Sequence, residues 1–155
     1  MKAIVIIIFS FFLMSSVSPP QTLPVAGKIM EYCKSNMGKT IDRGECWDLA
    51  YGALNFAGAD WSTPFNFGDK IDYKKEKLKP ADILQFTNVK IIFPNRSMSF
   101  PKHTAIVYKA NGTKILAYHQ NMNNKRFVDT LTIDLANVKN GKIEAYRPKG
   151  KQAPM

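Results

Sequence analysis

Cysteine, histidine and acidic side chains are all scarce in this chain, and each scarcity closes off a class of function. The 155 residues hold two cysteines, Cys33 and Cys46, too few for the disulfide framework that staples small secreted domains. The two histidines, His103 and His119, do not combine with them into the paired short spacings of a zinc site. No metal and no other cofactor is therefore expected. Asp and Glu number 12 against 22 Lys and Arg, leaving a formal charge of +10. Lys2 is the only charged residue before Lys28, so the positive excess sits almost entirely beyond the N-terminal stretch. Such a surface favours polyanions: cell-wall polymers, anionic lipid headgroups or nucleic acid. No aromatic–basic motif on a recognisable nucleic-acid module accompanies it, so nucleic acid is not an expected partner. Internal repeats are also missing, and 45% apolar with 22% charged residues is too globular a composition for wholesale disorder. One domain with its own core, acting as a monomer, is the expectation.

The chain also lacks an apolar run of the roughly 20 residues that a spanning helix needs, so a permanent membrane anchor is not expected. What it has at the start is shorter. Lys2 precedes the apolar stretch Ala3–Met14, and the small residues Ser15, Ser16 and Ser18 follow. A positive start, an apolar run of about a dozen residues and a small-residue patch describe a secretory signal peptide over residues 1–18. Pro19 follows the Ser16-Val17-Ser18 patch, so the cleavage position stays open. No cysteine follows the run, so there is no lipoprotein attachment point. The expected location is secreted, periplasmic or associated with a cell wall.

Residues 19–24 form a proline-rich lead. Apolar spacing then predicts a helix from about Val25 to Asn36, and Cys33 on it is open to two readings, a core side chain or half of a bridge to Cys46. A second helix is predicted from about Glu45 to Ala57, ended by Gly58. Its stripe of Cys46, Leu49, Ala50, Ala53, Leu54 and Ala57 faces the core, and Asp42 with Glu45 fits a capping box. Residues 59–80 show no clear period, and the lysine run Lys74 to Lys79 reads as a solvated face. Strands are predicted at Asp82–Phe86, with a continuation to Ile92 left open, then at 103–109, 114–121, 126–133 and 142–147. Residues 87–102 read as a loop stiffened by Phe93-Pro94 and Phe100-Pro101, and 149–155 as a frayed tail. Two helices followed by about five strands, without βα alternation, make an α+β domain with an antiparallel sheet.

Cys46 sits where a helix begins, and there the unpaired N–H groups and the helix dipole favour a thiolate. A nucleophile needs a base, and His103 is placed to stabilise that thiolate and then protonate a leaving amine. A third polar group would fix the imidazole tautomer. Cys46's own N–H is the first oxyanion donor; the second is not identifiable. The third group depends on the hairpin after His103. With a two-residue Asn111-Gly112 turn, His103 faces Gln120. With a three-residue Ala110–Gly112 loop, His103 sits opposite His119, with Asn121 diagonal on the same face. The sequence accepts both.

Gly44-Glu45-Cys46-Trp47-Asp48-Leu49-Ala50, Lys79-Pro80-Ala81-Asp82-Ile83-Leu84-Gln85-Phe86, His103-Thr104-Ala105-Ile106-Val107-Tyr108 and His119-Gln120-Asn121 together resemble the CHAP family. These are cysteine- and histidine-dependent amidohydrolases and peptidases, relatives of NlpC-type cell-wall peptidases. The resemblance covers about Val25 to Arg147, so a CHAP-like domain is expected over 25–148. It implies a papain-like fold, with Cys46 as nucleophile at the start of the second helix and His103 as base. His119 would take the orienting position, where many CHAP members carry Glu, with Asn121 in support. Ala81 stands where the family has Gly. The implied function is a secreted cysteine amidase or endopeptidase that cleaves peptidoglycan through a thioester, with peptidoglycan or another anionic wall polymer as substrate. The alternative is a catalytically weak or inactive papain-like module that holds a wall fragment or a protein partner.

Overall fold

A computed structural model describes residues 24–63 and 65–151. The expected signal peptide and all of the proline-rich lead except Pro24 lie outside the described residues. Helix α1 spans Val25–Ser35 and buries Ile29 and Cys33. Cys33 and Cys46 are both free thiols, and Cys33 is packed in the core, which decides between its two readings. Helix α2 spans Cys46–Ala57 and buries Leu49, Ala50, Ala53, Leu54 and Ala57; three alanines on this face let the helix lie close to the sheet. It ends at Gly58 in the left-handed conformation. Its capping box is not Asp42 with Glu45. Glu45 is the N-cap and pairs with Asp48, while Asp42 stands outside the helix at φ 50°.

Eight strands follow, against about five expected: β1 Ala59–Asp60, β2 Asp69–Ile71, β3 Ile83–Phe93, β4 Arg96–Asn111, β5 Lys114–His119, β6 Asp129–Asp134, β7 Val138–Arg147 and β8 Lys149–Gly150. Six of them form one antiparallel sheet in the order β2-β7-β3-β4-β5-β6. The additional strands are two or three residues long, too short to show a period in the sequence. β8 pairs with β1, Ala59↔Gly150 and Asp60↔Lys149, so the expected tail is strand at its first two residues.

The larger departure is at 87–102, which is a long hairpin and not a loop. Val89, Ile91, Met98 and Phe100 are buried in it at period-two spacing. Pro101 has no N–H to donate, and the β3–β4 ladder skips the Asn88–Pro101 pair while keeping its register. Thr87 pairs with Lys102 and Val89 with Phe100, while Asn88 between them turns left-handed at φ 51°.

The central strands are buried on both sides. Ile83, Ile106 and Tyr118 point to the helices and join Leu49, Ala53 and Leu54. Their neighbours Leu84, Phe86, Ala105, Val107 and Ala117 point the other way, into a second core with Ile115, Ile133 and Ile143. Neither α1 nor α2 contributes to that second core; Leu135, in the single 3-10 turn Leu135–Asn137, packs against it. Asp82 stands just ahead of β3. It is buried, receives both Nε (3.0 Å) and Nη2 (2.9 Å) of Arg147, and accepts the Lys79 N–H at 2.7 Å. That bidentate pair ties the start of β3 to the end of β7.

Candidate active site

The loop before Cys46 is held from three sides. Asp48 accepts the N–H groups of Arg43 (3.1 Å) and Glu45 (3.0 Å) and the Arg43 guanidinium (2.7 Å). Gln120, fully buried, donates to the carbonyls of Ile41 (3.0 Å) and Glu45 (2.9 Å) and accepts the Ile41 N–H at 2.8 Å. Asn121 donates to the Glu45 carboxylate at 2.6 Å, and Arg126 lies 3.2 Å from the same carboxylate. Gly44 is required where it stands. Its φ is +83°, and a Cβ there would come within 2.8 Å of the Arg126 side chain. Cys46 is therefore presented on a stiff platform at the first turn of α2.

The sulfur meets the sheet where β4 and β5 part. The last pair of their ladder is Ala105↔His119, and the Thr104 N–H beyond it turns to the Cys46 sulfur. The Thr104 hydroxyl lies near that sulfur and donates its hydrogen to the Gln85 side-chain oxygen at 2.7 Å. One residue back, His103 projects from the opposite face of the strand and stacks on Phe100, ring centroids 5.3 Å apart.

Neither expected hairpin register occurs. The turn residues are Gly112 and Thr113, between the pair Asn111↔Lys114, and a bulge at Tyr108 then shifts the ladder by one. Past the bulge His119 faces Ala105, so it shares a face with His103 but is its diagonal neighbour. Their ring centroids are 5.5 Å apart, and both rings are almost buried. Gln120 points the other way and spends both amide hydrogens on the Cys46 loop, leaving none to orient His103 or meet an oxyanion. Asn121 reaches Glu45, beside Cys46. The structure thus gathers Cys46, His103, His119 and Asn121 at one end of the sheet and gives Gln120 a bracing role.

The site rests uncharged. Burial pushes the Cys46 thiol up, and the Glu45 charge adds to this; hydrogen bonds from Thr104 and the Trp47 N–H pull the other way without overcoming it. Burial, helped by the neighbouring His119, takes His103 down to about 4. Burial also lowers His119, and the carboxylate of Asp129 opposes that. Cys33 is pushed up to about 12 by burial, so Cys46 is the reactive thiol of the pair.

Asp48, Thr104 and Asp129 escaped the sequence reading. Asp48 had a local signal, three residues after Glu45 at a helix start. Thr104 and Asp129 had none, since each acts across strands.

The chain is similar to known proteins in fold and in family. "Altered inheritance of mitochondria protein 3" from Debaryomyces hansenii is 31% identical, over 77% of this chain but 15% of its own length. Two crystal structures of Ly7917 share the fold. One matches at 14% identity with a TM-score of 0.53, over 78% of this chain and 62% of that one. The other, "with the hydrolyzing product of MDP", matches at 13% with a TM-score of 0.54, over 79% and 62%. The CHAP resemblance therefore holds at the level of the papain-like fold, and the family profile that matches is a different one. Over residues 24–154, the chain belongs to the AIM3/BBC1 cysteine proteinase-fold domain family.

Proposed function

We propose that this domain is a peptide-binding module built on a cysteine-proteinase frame, with little turnover at Cys46. The observation that carries this is the resting state of the site. The backbone N–H groups near the sulfur are those of Thr104 and Trp47, while the buried Nε2 of His103 has no partner. An uncharged thiol beside an uncharged imidazole is a weak nucleophile compared with a thiolate–imidazolium pair. The binding groove would be the cavity of about 330 Å³ beside His103, walled by Met98, Phe100, Lys102, Asn121 and Arg96. Its two cations and the charge of +10 favour an extended acidic segment with an apolar side chain for the Met98–Phe100 wall. The name of the yeast relative speaks of inheritance of mitochondria and not of a reaction, which sits with a binding role. The chain spans 15% of that relative, so the partner is a matter for experiment. A fluorescent acidic peptide should titrate wild type and Cys46→Ala with equal affinity, and prolonged incubation should leave it intact. A peptide cleaved by wild type and spared by Cys46→Ala would overturn this reading.

A second reading is the secreted cysteine amidase acting on peptidoglycan, for which residues 1–18 would supply export. It is favoured by Cys46, His103 and His119 meeting at one end of the sheet, with one unpartnered buried nitrogen on each imidazole. Here Cys46 attacks the amide carbon, His103 carries the proton to the leaving amine, and water releases the thioester. A muropeptide digest run with wild type and Cys46→Ala decides it, since equal traces from the two proteins would remove it.

A further inference from the structure

We propose that the mouth of the second core is a binding site for a single-chain amphipathic anion, a long-chain carboxylate. Its tail would lie on the apolar floor and its head among the lysines of the rim. The site is separate from the Cys46 region: this cavity and the one beside His103 share no lining residue.

The strand pairing leaves this opening. β7 pairs with β3 along one side, but β2 covers its other side only at Ala145, Tyr146 and Arg147. From Val138 to Glu144 that outer edge pairs with no strand among the described residues. Between it, the β4–β5 turn at 110–113 and the 3-10 turn lies a cavity of about 820 Å³, with the loop from Tyr73 to Leu78 as its remaining wall. That volume is in the range of small-molecule sites. The floor is apolar. Tyr73, Leu78, Ala110, Leu135 and Val138 are partly buried side chains packed against the second core, and Ile143 of that core lines the same cavity. The rim is basic. Lys74, Lys75, Lys77 and Lys139 line it, against the single acid Glu76. Glu76 is already 3.6 Å from Nη1 of Arg147, and Lys75 is 3.2 Å from Asp72. Lys74, Lys77 and Lys139 enter no ion pair among the described residues.

Apolar surface at a cavity mouth, with unpaired cations at its edge, selects a ligand with one apolar end and one anionic end. A peptide strand laid on the open edge of β7 fits less well. Gly141 turns left-handed at φ +87°, and the β3–β7 ladder shifts register between Thr87 and Lys90 and again between Lys90 and Ile91. A bulged edge is a poor template for strand addition, so side chains and not a backbone ladder must hold the ligand. An alkyl carboxylate makes no demand on the backbone.

The test is an NMR titration of the full chain with laurate, kept below its micelle threshold. The backbone amides of Gly112, Leu135, Asn140 and Gly141 should shift and saturate, while those of Met98 and Lys102 stay in place. Octanoate, with the same head and a shorter tail, should bind at least about tenfold more weakly, because each buried methylene adds affinity. Lys77→Gln combined with Lys139→Gln, both exposed positions, should weaken laurate about fivefold, the loss of two exposed ion pairs. Dodecyltrimethylammonium, which joins the same length of tail to a cation, should bind more weakly than laurate. Laurate that leaves these amides unmoved, or that binds wild type and the double variant equally, would overturn the proposal. Equal binding of octanoate or of the cation would do the same. An acidic peptide of alternating Glu and Leu that shifts these amides when laurate does not would also overturn it, the occupant then being a protein segment. Binding of that peptide at Met98 and Lys102 belongs to the proposed function, so the two readings fail separately.

Discussion

At the scale of single residues, two positions do work that their types do not announce. Ala81 is buried at φ +74°, a backbone region that costs a side chain about 1–2 kcal/mol. The resemblance placed Gly at this position, and the backbone gives the reason. Ala81→Gly should therefore be close to neutral, because relief of that strain offsets the lost methyl burial. Ala53→Gly, equally buried but in the middle of α2, should cost about 1–2 kcal/mol from propensity and burial together. Urea midpoints for the two variants give the comparison, and equal losses would refute it. Gln120 is the second such position. Gln120→Ala should cost about 1–3 kcal/mol, because it leaves the Ile41 N–H without a partner and takes one of two hydrogen bonds from each of the Ile41 and Glu45 carbonyls, which keep the N–H groups of Gly44 and Asp48. Chemical denaturation checks it, and a loss below half a kcal/mol would mean water takes over those bonds.

At the scale of elements, α2 and the β3–β4 hairpin show why some of the chain is readable and some is not. The helix was legible because its stripe, its start near Glu45 and its stop at Gly58 are local, set by residues within a few positions of one another. The capping box was misplaced by three residues, since Asp42–Glu45 and Glu45–Asp48 have the same spacing and only the backbone turn at Asp42 separates them. The hairpin was hidden by its prolines. Pro94 is the first residue of its two-residue turn and Pro101 lies inside a strand, both ordinarily signals against a strand. Cross-strand burial overrode them, because Phe100 closes the second core against Phe86, ring centroids 5.1 Å apart. Phe100→Ala should cost about 3–5 kcal/mol, a core value. A loss of less than about 1 kcal/mol in thermal or urea unfolding would return 87–102 to the status of a surface loop.

At the scale of the whole molecule, burial of the two histidines makes stability depend on acidity. His103 titrates at about 4 in the folded protein, below its ordinary value of 6.5. Between those two values the unfolded chain binds a proton that the folded one refuses, so stability is full above about pH 6.5 and falls as the pH drops toward 4. His119 is shifted in the same direction and adds to the loss. For His103 alone the effect is on the order of 3 kcal/mol. Urea midpoints measured from pH 7 to pH 4 should show it, and His103→Gln should flatten that stretch of the curve. A wild-type curve already flat there would show that the site opens to water.

The sequence by itself determined the two helices, the five long strands in outline, the placing of Cys46 at a helix start, and the papain-like class. All of these rest on patterns that repeat within one element or on short motifs in order. It did not determine which residues stand beside His103. That was decided by one extra residue in β4, the bulge at Tyr108, which turns His119 toward His103 and Gln120 toward the Cys46 loop. Side chains alternate faces at every step along a strand, so a single inserted residue exchanges the two outcomes. The same pairing across strands brought Thr104 to the sulfur and Asp129 to His119. Neighbours of that kind are created by register, and register is set by the whole sheet closing around its cores.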